Sequence, residues 1–472
     1  MSETTEQNQP AAADPLMLSV SGMRGIVGGS LRPEDAARFG GVFGSWVKAG
    51  GGGAVVSPTG RPVVALGRDS RRSGRALADA AAAGLMAAGC DVVRLGVLST
   101  PGVAIAARRL GAAGALVVTA SHNPAPWNGL KPIRADGSSP PAHESAELIE
   151  RFKQGDIDRV SADGCGQSWS FDGGAAWHAE AVLRHIDIEV VRSAGLRVVV
   201  DSVCGAGGVE ARLLLEALGV EMVSMHAEPT GVFPHTPEPT AENLTGLCEA
   251  TAKAEAHAGF AQDPDADRLA IVDEAGVYLG EEYTLALCVA HRLERGGLAA
   301  ANLSTSRMID DVAARCDGRV IRTRVGEANV AGAMREHGCE WGGEGNGGII
   351  WSKVGQVRDS LVGMALICEM LAKRGAALSR IAQEVPAYAI VKAKAPVSDA
   401  VVAALGDKLP EAFPDARADA QDGVRLDWAQ AWLHVRPSNT EPIVRLIAEA
   451  PTQAEAQRLI DAARAALGID PA

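Results

Sequence analysis

Residues 114–118 read Gly-Ala-Leu-Val-Val, and residues 119–124 read Thr-Ala-Ser-His-Asn-Pro. The first stretch has the composition of a short strand buried on both faces, and the second has the composition of a polar turn. This order places Ser121 at the carboxyl end of a buried strand, which is where open α/β sheets bind their ligands. The stretch therefore predicts a parallel sheet with a candidate nucleophile at its edge.

The same strand-turn-helix pattern recurs on both sides of this stretch. Val63–Leu66 and Leu196–Val200 are each followed by a polar or glycine-rich turn and then by a segment rich in alanine and leucine. Strands that alternate with helices indicate parallel sheets, and the right-handed crossover rule places their strand-to-helix turns on one edge. Because 472 residues are too many for one core, we expect several α/β units.

Composition shifts divide the chain into four predicted units. The first unit carries the serine turn, and a weakly periodic segment rich in glycine, serine and aspartate follows it. A smaller unit with alternating apolar residues begins after Pro386. The predicted units cover residues 15–165, 175–296, 298–386 and 388–470.

The overall composition excludes several classes of protein. A net charge of −13 without any basic run argues against a nucleic-acid partner, and no apolar stretch reaches the ~20 residues of a membrane-spanning helix. The polar segment Met1–Asp14 lacks the features of a signal peptide and is predicted to be a disordered tail. Eight cysteines without a C-x-x-C pair indicate reduced thiols in a cytoplasmic protein.

Ser121 is a candidate nucleophile, but the pattern around it is not that of a hydrolase triad. It lacks the G-x-S-x-G turn, and His122 is the next residue in the chain, so the two side chains should diverge on an extended backbone. A serine that carries a phosphoryl group needs no triad, because its chemistry depends on neutralisation of charge. Turn chemistry alone is the simpler interpretation of this segment.

Three carboxylates at alternate positions, Asp263, Asp265 and Asp267, indicate a metal site. Their mutual repulsion favours a divalent cation, and three protein oxygens leave positions open for a phosphate oxygen, which suits Mg²⁺. The spacing also nearly fits an EF-hand calcium loop with Glu274 at its twelfth position. That loop requires glycine at its sixth position, where this chain has Arg268, and the flanking segments look like strands.

Two further polar segments follow strand-like runs. Gly342–Gly348 is dense in glycine, which allows a backbone to approach a ligand closely, and it offers Glu344 and Asn346 to sugar hydroxyls. The segment 436–442 reads Arg-Pro-Ser-Asn-Thr-Glu-Pro and has the donors of a phosphate clamp, to which Arg445 could add a second charge. A mobile loop and a polar turn are the alternative interpretations.

Taken in this order, the motifs resemble those of the α-D-phosphohexomutase superfamily, and the resemblance extends from about Ser19 to the C-terminus. Residues 19–25 (Ser-Val-Ser-Gly-Met-Arg-Gly) resemble its N-terminal substrate-facing loop, and residues 119–124 resemble its phosphoserine loop. Asn128-Gly129-x-Lys131 resembles the lysine motif downstream of that loop. The other matches are the metal loop at 263–267, the sugar-binding loop at 343–348 and the phosphate loop at 436–442.

The resemblance implies an α/β fold in which three related domains with mixed, mainly parallel sheets and a smaller C-terminal α+β domain surround a central cleft. It also implies an intramolecular phosphotransferase that uses Mg²⁺ and a sugar 1,6-bisphosphate as activator and intermediate. Its partner would be a phosphorylated hexose or hexosamine, bound by a cytoplasmic monomer or homodimer. The implied site residues are Ser121, His122, Lys131 and Arg24 for catalysis; Ser121, Asp263, Asp265 and Asp267 for the metal; Arg268, Glu344 and Asn346 for the substrate; and Arg436, Ser438, Asn439, Thr440 and Arg445 for phosphate.

The sugar-binding loop departs from the Gly-Glu-x-Ser-Gly-His pattern of the common bacterial enzymes. Its Gly-Asn-Gly-Gly sequence, together with Ser438-Asn439 in the phosphate loop, resembles the archaeal-type phosphoglucosamine mutase branch. This resemblance predicts conversion of glucosamine 6-phosphate to the 1-phosphate. Phosphomannomutase or phosphoglucomutase activity is the alternative within the class, and a non-catalytic sugar-phosphate binder on the same fold is the alternative outside it.

Overall fold

The apolar run 114–118 forms a fully buried strand in the middle of a seven-stranded mixed sheet. The computed structural model of the chain describes residues 16–53, 60–438 and 443–469, so the predicted tail Met1–Asp14 lies outside the described residues. In chain order the strands of this first sheet are β1 (Met17–Ser19), β2 (Gly22–Ile26), β3 (Val63–Arg68), β4 (Asp91–Val97), β5 (Gly114–Val118), β6 (Trp127–Arg134) and β7 (Ser168–Ser170).

The strands of the first sheet lie in the order β1-β2-β6-β5-β3-β4-β7. From β5 to β7 all neighbours are parallel, whereas β6 runs antiparallel between β5 and β2. The serine turn reverses the chain directly from β5 into β6, while the parallel neighbours are joined through helices, as parallel pairing requires. The helices of this unit are α1 (Pro33–Lys48), α2 (Gly74–Ala87), α3 (Thr100–Arg109) and α4 (Ala142–Gln154).

Both faces of the first sheet are covered, which explains why its strands are continuously apolar. Val64 and Leu66 share one core with α1 and α2, whereas Ala65 between them shares another with α3. α1 and α2 pack with their backbones in near contact, since a Cβ on Gly84 would lie 1.9 Å from the carbonyl oxygen of Ala37. Glycine is therefore required at that helix crossing.

The edge strand β7 lies in the segment that the sequence analysis leaves between the first two predicted units. It pairs in parallel with β4, so the first sheet continues beyond residue 165, where the first unit was predicted to end. All three residues of β7 are exposed, including Trp169 at 46%. A strand with no buried face carries no alternating pattern, which explains why the sequence does not reveal it.

The second sheet repeats the central part of the first. Its strands lie in the order β11-β10-β8-β9, in which β10, β8 and β9 are parallel neighbours and β11 is an antiparallel edge strand. These strands are β8 (Arg197–Asp201), β9 (Glu221–Met225), β10 (Ala258–Gln262) and β11 (Leu269–Val272). The helices are α5 (Gly174–Leu183), α6 (Ile188–Ser193), α7 (Gly208–Leu218) and α8 (Thr245–Lys253).

The third sheet has the same arrangement, in the order β13-β12-β14-β15 with β15 as the antiparallel edge strand. Its strands are β12 (Leu298–Asn302), β13 (Arg319–Thr323), β14 (Trp341–Glu344) and β15 (Gly348–Trp351). Its helices are α9 (Glu281–Arg292), α10 (Met308–Ala314), α11 (Glu327–His337), α12 (Ser360–Arg374) and α13 (Leu378–Ala382).

The fourth sheet is entirely antiparallel, in the order β16-β20-β19-β18-β17. Its strands are β16 (Ala389–Pro396), β17 (Arg417–Asp419), β18 (Val424–Asp427), β19 (Trp432–Pro437) and β20 (Ile443–Ala450). Its helices are α14 (Asp399–Ala403), α15 (Leu405–Ala412) and α16 (Gln453–Leu467). The predicted fold class is confirmed, with three α/β units of mixed sheets followed by a smaller α+β unit.

The second and third units share one apolar core. Phe260 of β10, Trp351 of β15 and Leu361 of α12 belong to the same buried cluster, which Ile105 of α3 also joins. The first twelve residues of α12 are all buried, so this helix is a common support for both sheets. Among the residues that the structure describes, no helix combines the length and apolar composition needed to cross a bilayer.

Candidate active site

Ser121 lies in the turn between β5 and β6, where the backbone takes a left-handed conformation with φ of 50°. Its N–H donates to Thr119 Oγ1 at 2.9 Å, which holds the turn closed. Its hydroxyl donates to Asp263 Oδ2 at 2.7 Å, and the serine is buried at 1% exposure. The structure thus brings the candidate nucleophile of the first unit against an aspartate of the second.

His122 does not diverge from Ser121, which corrects the expectation from an extended backbone. The left-handed turn places His122 Nδ1 3.4 Å from Ser121 Oγ. Burial, Arg268 and Arg24 all lower the pKa of His122 below its usual range, so the imidazole is neutral at physiological pH. Because the serine hydroxyl donates its hydrogen bond to Asp263, a neutral ring at this distance can donate from Nδ1 to the serine oxygen, and it adds no charge to the site.

Arg71, which follows β3, organises the whole serine turn. Its guanidinium donates to the carbonyl oxygens of Ser121 and Asn123, both at 2.6 Å, and to those of Pro124 at 2.8 Å and Trp127 at 3.1 Å. Its Nε lies 3.0 Å from a carboxylate oxygen of Asp69. The sequence analysis missed Arg71, although the polar run after β3 marks the strand end that carries it.

The three aspartates occupy the turn between β10 and β11, and all three are fully buried. Their carboxylate oxygens lie within 4.8 Å of one another. The flanking elements are antiparallel strands rather than helices, and the Glu274 carboxylate accepts a hydrogen bond from the N–H of Ser379 at 3.0 Å. The EF-hand interpretation is therefore excluded by the structure.

The charges around the aspartates are distributed unevenly. Lys131 Nζ lies 3.1 Å from Asp265 Oδ2 and 3.0 Å from Asp267 Oδ2, and Arg358 Nη2 lies 2.7 Å from Asp267 Oδ2. Burial alone would raise the pKa of Asp267, but Arg358 and Lys131 more than offset this and lower it. Burial and repulsion from the other two carboxylates instead raise the pKa of Asp263 well above its usual range.

Unsatisfied oxygens show that this cluster fits a cation. Oδ1 of Asp265 and Oδ1 of Asp267 are both buried, and neither has a hydrogen-bond partner among the described residues. Buried carboxylate oxygens are rarely left without a partner, and a hard divalent cation coordinated by oxygen would satisfy both. The acidic triad therefore fits a metal site by its chemistry as well as by its spacing.

Arg24 and Lys131 lie on neighbouring strands, β2 and β6. Arg24 Nη1 donates to Asn123 Oδ1 at 3.3 Å, which connects it to the serine turn. Lys131 is 6% exposed. Burial alone would lower its pKa, but the nearby carboxylates of Asp265 and Asp267 outweigh burial and raise the pKa above its usual value. Lys131 is consequently a cation in this arrangement.

A cavity of about 300 Å³ lies next to this cluster and is lined by all four units. Of the described side chains that line it, five are basic and two are acidic, in a chain whose net charge is −13. This local excess of positive charge suits an anionic ligand. The charged lining residues are Arg24, Lys131, Arg268, Arg358 and Arg445, with Glu327 and Glu344.

The candidate sugar-binding residues lie in the turn between β14 and β15. Glu344 Oε1 accepts from Asn302 Nδ2 at 2.8 Å and from the N–H of Gly326 at 3.1 Å, and Oε2 accepts from Arg358 Nη1 at 2.8 Å. Asn346 also lines the cavity, and its buried Oδ1 has no hydrogen-bond partner within the part of the chain that the structure describes. Asn346 thus offers a free acceptor to a ligand, while Glu344 is held in place by the protein.

The candidate phosphate-binding residues are only partly brought together. Arg445 on β20 lines the cavity, whereas Arg436 beside it on β19 forms an ion pair with Asp422 at 3.3 Å. Ser438 follows β19, and its N–H donates to the carbonyl oxygen of Ile443 at 2.9 Å. Asn439 and Thr440 lie outside the described residues.

Arg268 connects the metal cluster to the cavity. Its backbone N–H donates to Asp263 Oδ1 at 3.2 Å, and its Nε lies 3.9 Å from Asp267 Oδ1. The same side chain lines the cavity. Of the predicted site residues in the described ranges, those of the first three units thus form one continuous site around the cavity and the aspartates.

Sequence reasoning missed several residues that support this site. Thr100 Oγ1 donates to Asp265 Oδ2 at 2.6 Å, and Ser139 Oγ donates to Glu327 Oε1 at 2.6 Å. Arg358 also donates to Glu327 Oε2 at 3.0 Å, and so links three carboxylates from two units. No local pattern marks these residues, because each reaches the site from a helix terminus or a loop of another unit.

Comparisons with known proteins agree with this arrangement along the chain. Four families described as phosphoglucomutase/phosphomannomutase match successive segments. The first three are alpha/beta/alpha domains I, II and III, and the fourth is the C-terminal domain. The matched residues are 17–158 for domain I, 176–276 for domain II, 281–388 for domain III and 388–466 for the C-terminal domain.

Individual relatives match over nearly their full length. The chain is 35% identical to a phosphoglucomutase/phosphomannomutase of Thermococcus kodakarensis, over 93% of this chain and 96% of the relative. It is 36% identical to a probable phosphoglucosamine mutase of Methanopyrus kandleri, over 93% and 95%. The crystal structure of a phosphoglucomutase/phosphomannomutase family protein from Burkholderia thailandensis superposes with a TM-score of 0.82 at 29% identity, over 96% of this chain and 98% of that one. The chain is therefore a phosphohexomutase of the phosphoglucomutase/phosphomannomutase family.

Proposed function

We propose that this enzyme interconverts glucosamine 6-phosphate and glucosamine 1-phosphate through a phosphorylated Ser121 and a sugar 1,6-bisphosphate. The observation that carries this proposal is the contact of 2.7 Å between Ser121 Oγ and Asp263, next to a cavity with five basic side chains. The serine can hold the phosphoryl group between turnovers, and the cavity can hold a sugar phosphate. Without the choice of sugar, the same chemistry is the interconversion of the 6-phosphates and 1-phosphates of hexoses or hexosamines.

Mg²⁺ is the cation that best suits the aspartates, since they offer only oxygen ligands and leave room for a phosphoryl oxygen. Asp263, Asp265 and Asp267, with an oxygen of the group on Ser121, would hold it. When bound, the ion supplies positive charge against the transferring phosphoryl group. The chain itself holds the carboxylates of Asp265 and Asp267 in place. Thr100, Lys131 and Arg358 contact their oxygens at 2.6 to 3.1 Å.

Phosphoryl transfer to the sugar breaks the bond between phosphorus and Ser121 Oγ as a sugar hydroxyl oxygen attacks in line. Arg24 would steady the phosphoryl oxygens, because it is tied to the serine turn through Asn123 and also lines the cavity. Lys131 is the candidate acceptor for the hydroxyl proton. It must first lose its own proton, and a divalent cation on the same carboxylates would lower its pKa and so favour that loss.

The bisphosphate intermediate must turn around so that its other phosphate returns to Ser121. The cavity can accept both orientations because its recognition groups lie on separate units, Asn346 on the third and Arg445 on the fourth. Asn346 would bind a ring hydroxyl, while Arg445, with Ser438, Asn439 and Thr440, would bind the phosphate that is not being transferred. Arg436 would join this set on release from Asp422.

Glucosamine phosphate is the preferred substrate because the sugar-binding loop reads Gly-Asn-Gly-Gly and the relatives at 36% and 34% identity carry the name probable phosphoglucosamine mutase. Mannose and glucose phosphates form the second candidate. It is favoured by the relative at 35% identity, which carries the name phosphoglucomutase/phosphomannomutase. A lining that holds Glu344 rigidly while leaving Asn346 Oδ1 free suits more than one sugar.

A coupled assay with Mg²⁺ on the 6-phosphates of glucosamine, glucose and mannose, run side by side, tests the choice of sugar. We expect kcat/KM for glucosamine phosphate to equal or exceed the other two values. A strong preference for mannose or glucose phosphate would overturn the assignment of glucosamine while leaving the mutase chemistry intact. Absence of turnover with all three sugars, despite added glucose 1,6-bisphosphate, would contradict the proposed mutase activity itself.

Intact-mass measurement tests the phosphoserine independently of turnover. The purified chain should gain one phosphate when it is incubated with glucose 1,6-bisphosphate and Mg²⁺. Ser121→Ala should not gain it, whereas Ser193→Ala, which removes an exposed hydroxyl at the end of α6, should gain it like the natural chain. Phosphate uptake by Ser121→Ala would show that another residue is the acceptor.

A further inference from the structure

A second group of metal-binding side chains lies in the second unit, outside the site described above. Asp201 is the last residue of β8, His226 follows the neighbouring strand β9, and His235 lies in the loop after it. His226 Nδ1 lies 3.0 Å from Asp201 Oδ1, and His235 Nε2 lies 3.0 Å from Asp201 Oδ2. One atom from each of the three side chains lies within 4.8 Å of the others.

The hydrogen bonds of His235 leave a position between its ring and Asp201 that requires a proton or a cation. Its Nδ1 lies 2.9 Å from the carbonyl oxygen of Thr236, which can only accept, so Nδ1 carries the ring proton. In a neutral ring Nε2 then carries a lone pair and no proton, yet it faces a carboxylate oxygen of Asp201 at 3.0 Å. Two acceptors at this distance repel each other unless a proton or a metal ion lies between them.

Other features of the group match those of a metal ligand set. A ligating histidine usually donates its other ring N–H to a backbone carbonyl, as His235 does to Thr236. Asp201 is fixed by a hydrogen bond of 2.8 Å from the N–H of Val203. A tetrahedral ion with bonds of about 2.1 Å separates its ligand atoms by roughly 3.4 Å. Each histidine nitrogen here lies 3.0 Å from a different oxygen of Asp201, and one atom from each residue lies within 4.8 Å of the others, so a small shift of these side chains would accommodate one ion.

The group is also open to an ion from solvent. The side chains of His226 and His235 are 34% and 23% exposed, while that of Asp201 is 3% exposed. The two rings meet edge to face with centroids 5.9 Å apart, so neither covers the other. Three protein ligands and an accessible fourth position describe a site that a water molecule would complete.

In the other two α/β units, the polar side chain at the corresponding strand end already has a partner within the protein. Asp69, after β3, is paired with the guanidinium of Arg71, and Asn302, at the end of β12, donates to Glu344 at 2.8 Å. Asp201 occupies the same place in the second unit but faces two imidazoles. The second unit thus has histidines where the first unit has a permanently charged arginine.

We propose that Asp201, His226 and His235 bind a divalent transition-metal ion of the Zn²⁺ class, separately from the Asp263, Asp265 and Asp267 site. Imidazole nitrogens favour such ions over Mg²⁺, which prefers oxygen ligands, so the two sites would select different metals. The site is structural rather than catalytic, because none of its three residues lines the cavity and His235 belongs to the loop whose Phe233 packs on Arg71.

The contacts of the loop that contains His235 indicate what a bound ion would do. Phe233, two residues before His235, lies under the guanidinium of Arg71 with its ring centroid 4.9 Å from Cζ. Gly231 packs so closely on the first unit that a Cβ there would lie 2.1 Å from the carbonyl oxygen of Ser70. An ion that ties His235 to Asp201 would therefore fix the loop over Arg71, and through Arg71 the serine turn.

Co²⁺ is a suitable probe, because its visible absorption reports nitrogen coordination directly. The full-length protein would be titrated with Co²⁺ in the presence of excess Mg²⁺, which occupies the aspartate site. We expect one equivalent to bind with a visible band that Zn²⁺ abolishes. His226→Gln and His235→Gln should each weaken binding by at least about tenfold, as loss of a metal-site residue does.

Two control variants separate this site from others. His143→Gln removes an exposed imidazole on α4 and should leave Co²⁺ binding unchanged, and Asp265→Asn, which damages the aspartate site, should leave it unchanged as well. Hydrogen exchange of residues 230–235 should slow on addition of Zn²⁺ in the natural chain and not in His235→Gln. No Co²⁺ band, a band unaffected by both histidine variants, or a band lost in Asp265→Asn would each overturn the proposal.

Discussion

At the scale of single residues, the aspartates of the metal loop are not equivalent, although their sequence spacing is regular. Asp267 contacts two cations, Lys131 and Arg358. Within the described residues, the Asp263 carboxylate instead accepts hydrogen bonds from the hydroxyl of Ser121 and the backbone N–H of Arg268. Two of the three negative charges are thus offset by the protein and the third is not. A bound divalent cation would offset the charge that remains.

This asymmetry predicts opposite effects of two substitutions on stability in the absence of metal. Asp267→Asn should lower the free energy of unfolding by about 1.5–3 kcal/mol, because buried Lys131 and Arg358 each lose one carboxylate partner and keep only Asp265, or Glu327 and Glu344, respectively. Asp263→Asn should leave it unchanged or raise it, because it removes a carboxylate whose ionisation is already disfavoured by its neighbours. Urea unfolding in EDTA measures both values.

Added Mg²⁺ provides the control for these two variants. It should raise the unfolding midpoint of the natural chain by mass action and should raise that of neither variant to the same extent, since each variant lacks one of the three proposed metal ligands. Both variants should lose at least about 100-fold in kcat. Equal destabilisation by the two substitutions in EDTA would contradict the charge distribution described here.

At the scale of the secondary-structure elements, the three α/β units present their functional residues at the same place. Each unit contains a run of parallel strands whose last strand in the chain before the turn pairs with an antiparallel strand that follows it directly. The turn into that last strand carries Ser121 in the first unit, the aspartates in the second, and Glu344 with Asn346 in the third. These turns follow apolar runs and contain polar residues, and for that reason the sequence reveals them.

The residues that sequence did not reveal lie at other element ends. Arg358 precedes α12 and reaches three carboxylates, yet Arg-Asp-Ser at that point is typical of any helix start. Arg436 was expected to bind phosphate, but it pairs with Asp422, which lies in the turn between β17 and β18. Arg358 meets Asp267 through the packing of two units, and Arg436 meets Asp422 through the pairing of strands within the fourth unit. A single sequence carries no local pattern for either contact.

The serine turn allows a direct test of positioning by Arg71. Arg71→Lys keeps the charge but loses the planar fork that reaches four carbonyl oxygens at 2.6 to 3.1 Å. A shift of the turn by about 1 Å should lower kcat by about 100-fold with a smaller effect on KM. The matched control is Arg72→Lys at the adjacent exposed position, and steady-state kinetics of both variants should show an effect only at Arg71.

A buried histidine links three helices and should make stability depend on pH. His178 of α5 lies 2.7 Å from Glu210 of α7 and 2.8 Å from Asp359, the N-cap of α12. Burial alone would lower the pKa of His178, but Asp359 and Glu210 outweigh it and raise the pKa to about 10. The ionised ring thus stabilises the fold fully below pH 6.5, and this contribution is lost as the pH rises toward about 10.

The free energy of unfolding of the natural chain should therefore fall through this pH range, by up to about 1.4 kcal/mol per pH unit from this group. His178→Gln should be less stable near neutral pH and should lack this component of the slope. His337→Gln, an exposed position on α11, should keep the slope of the natural chain. Urea unfolding at several pH values measures the difference, and parallel slopes for all three proteins would contradict the assignment.

At the scale of the whole molecule, the fourth unit differs from the others in how it is attached. The second and third units share an apolar core, whereas polar contacts join the fourth to the third. Ser304 Oγ lies 2.9 Å from His434 Nδ1, and the N–H of Val325 donates to Asp422 at 3.0 Å. Polar interfaces of this kind permit relative motion of domains. Arg445 would move with this unit, so its contact with a ligand depends on the position of the unit.

This attachment predicts how the loss of Arg445 affects turnover. Arg445 lines the cavity from the fourth unit, far along the chain from the serine turn, and is proposed to hold the phosphate that is not being transferred. Such a contact is the same in the ground state and the transition state, so Arg445→Ala should raise KM with little change in kcat. A lost charge-assisted hydrogen bond of about 1.5–3 kcal/mol corresponds to an increase in KM of roughly 10–150-fold.

Arg458→Ala, on the exposed face of α16 in the same unit, should leave KM unchanged. A fall in kcat without a rise in KM would instead place Arg445 at the phosphoryl group in transfer.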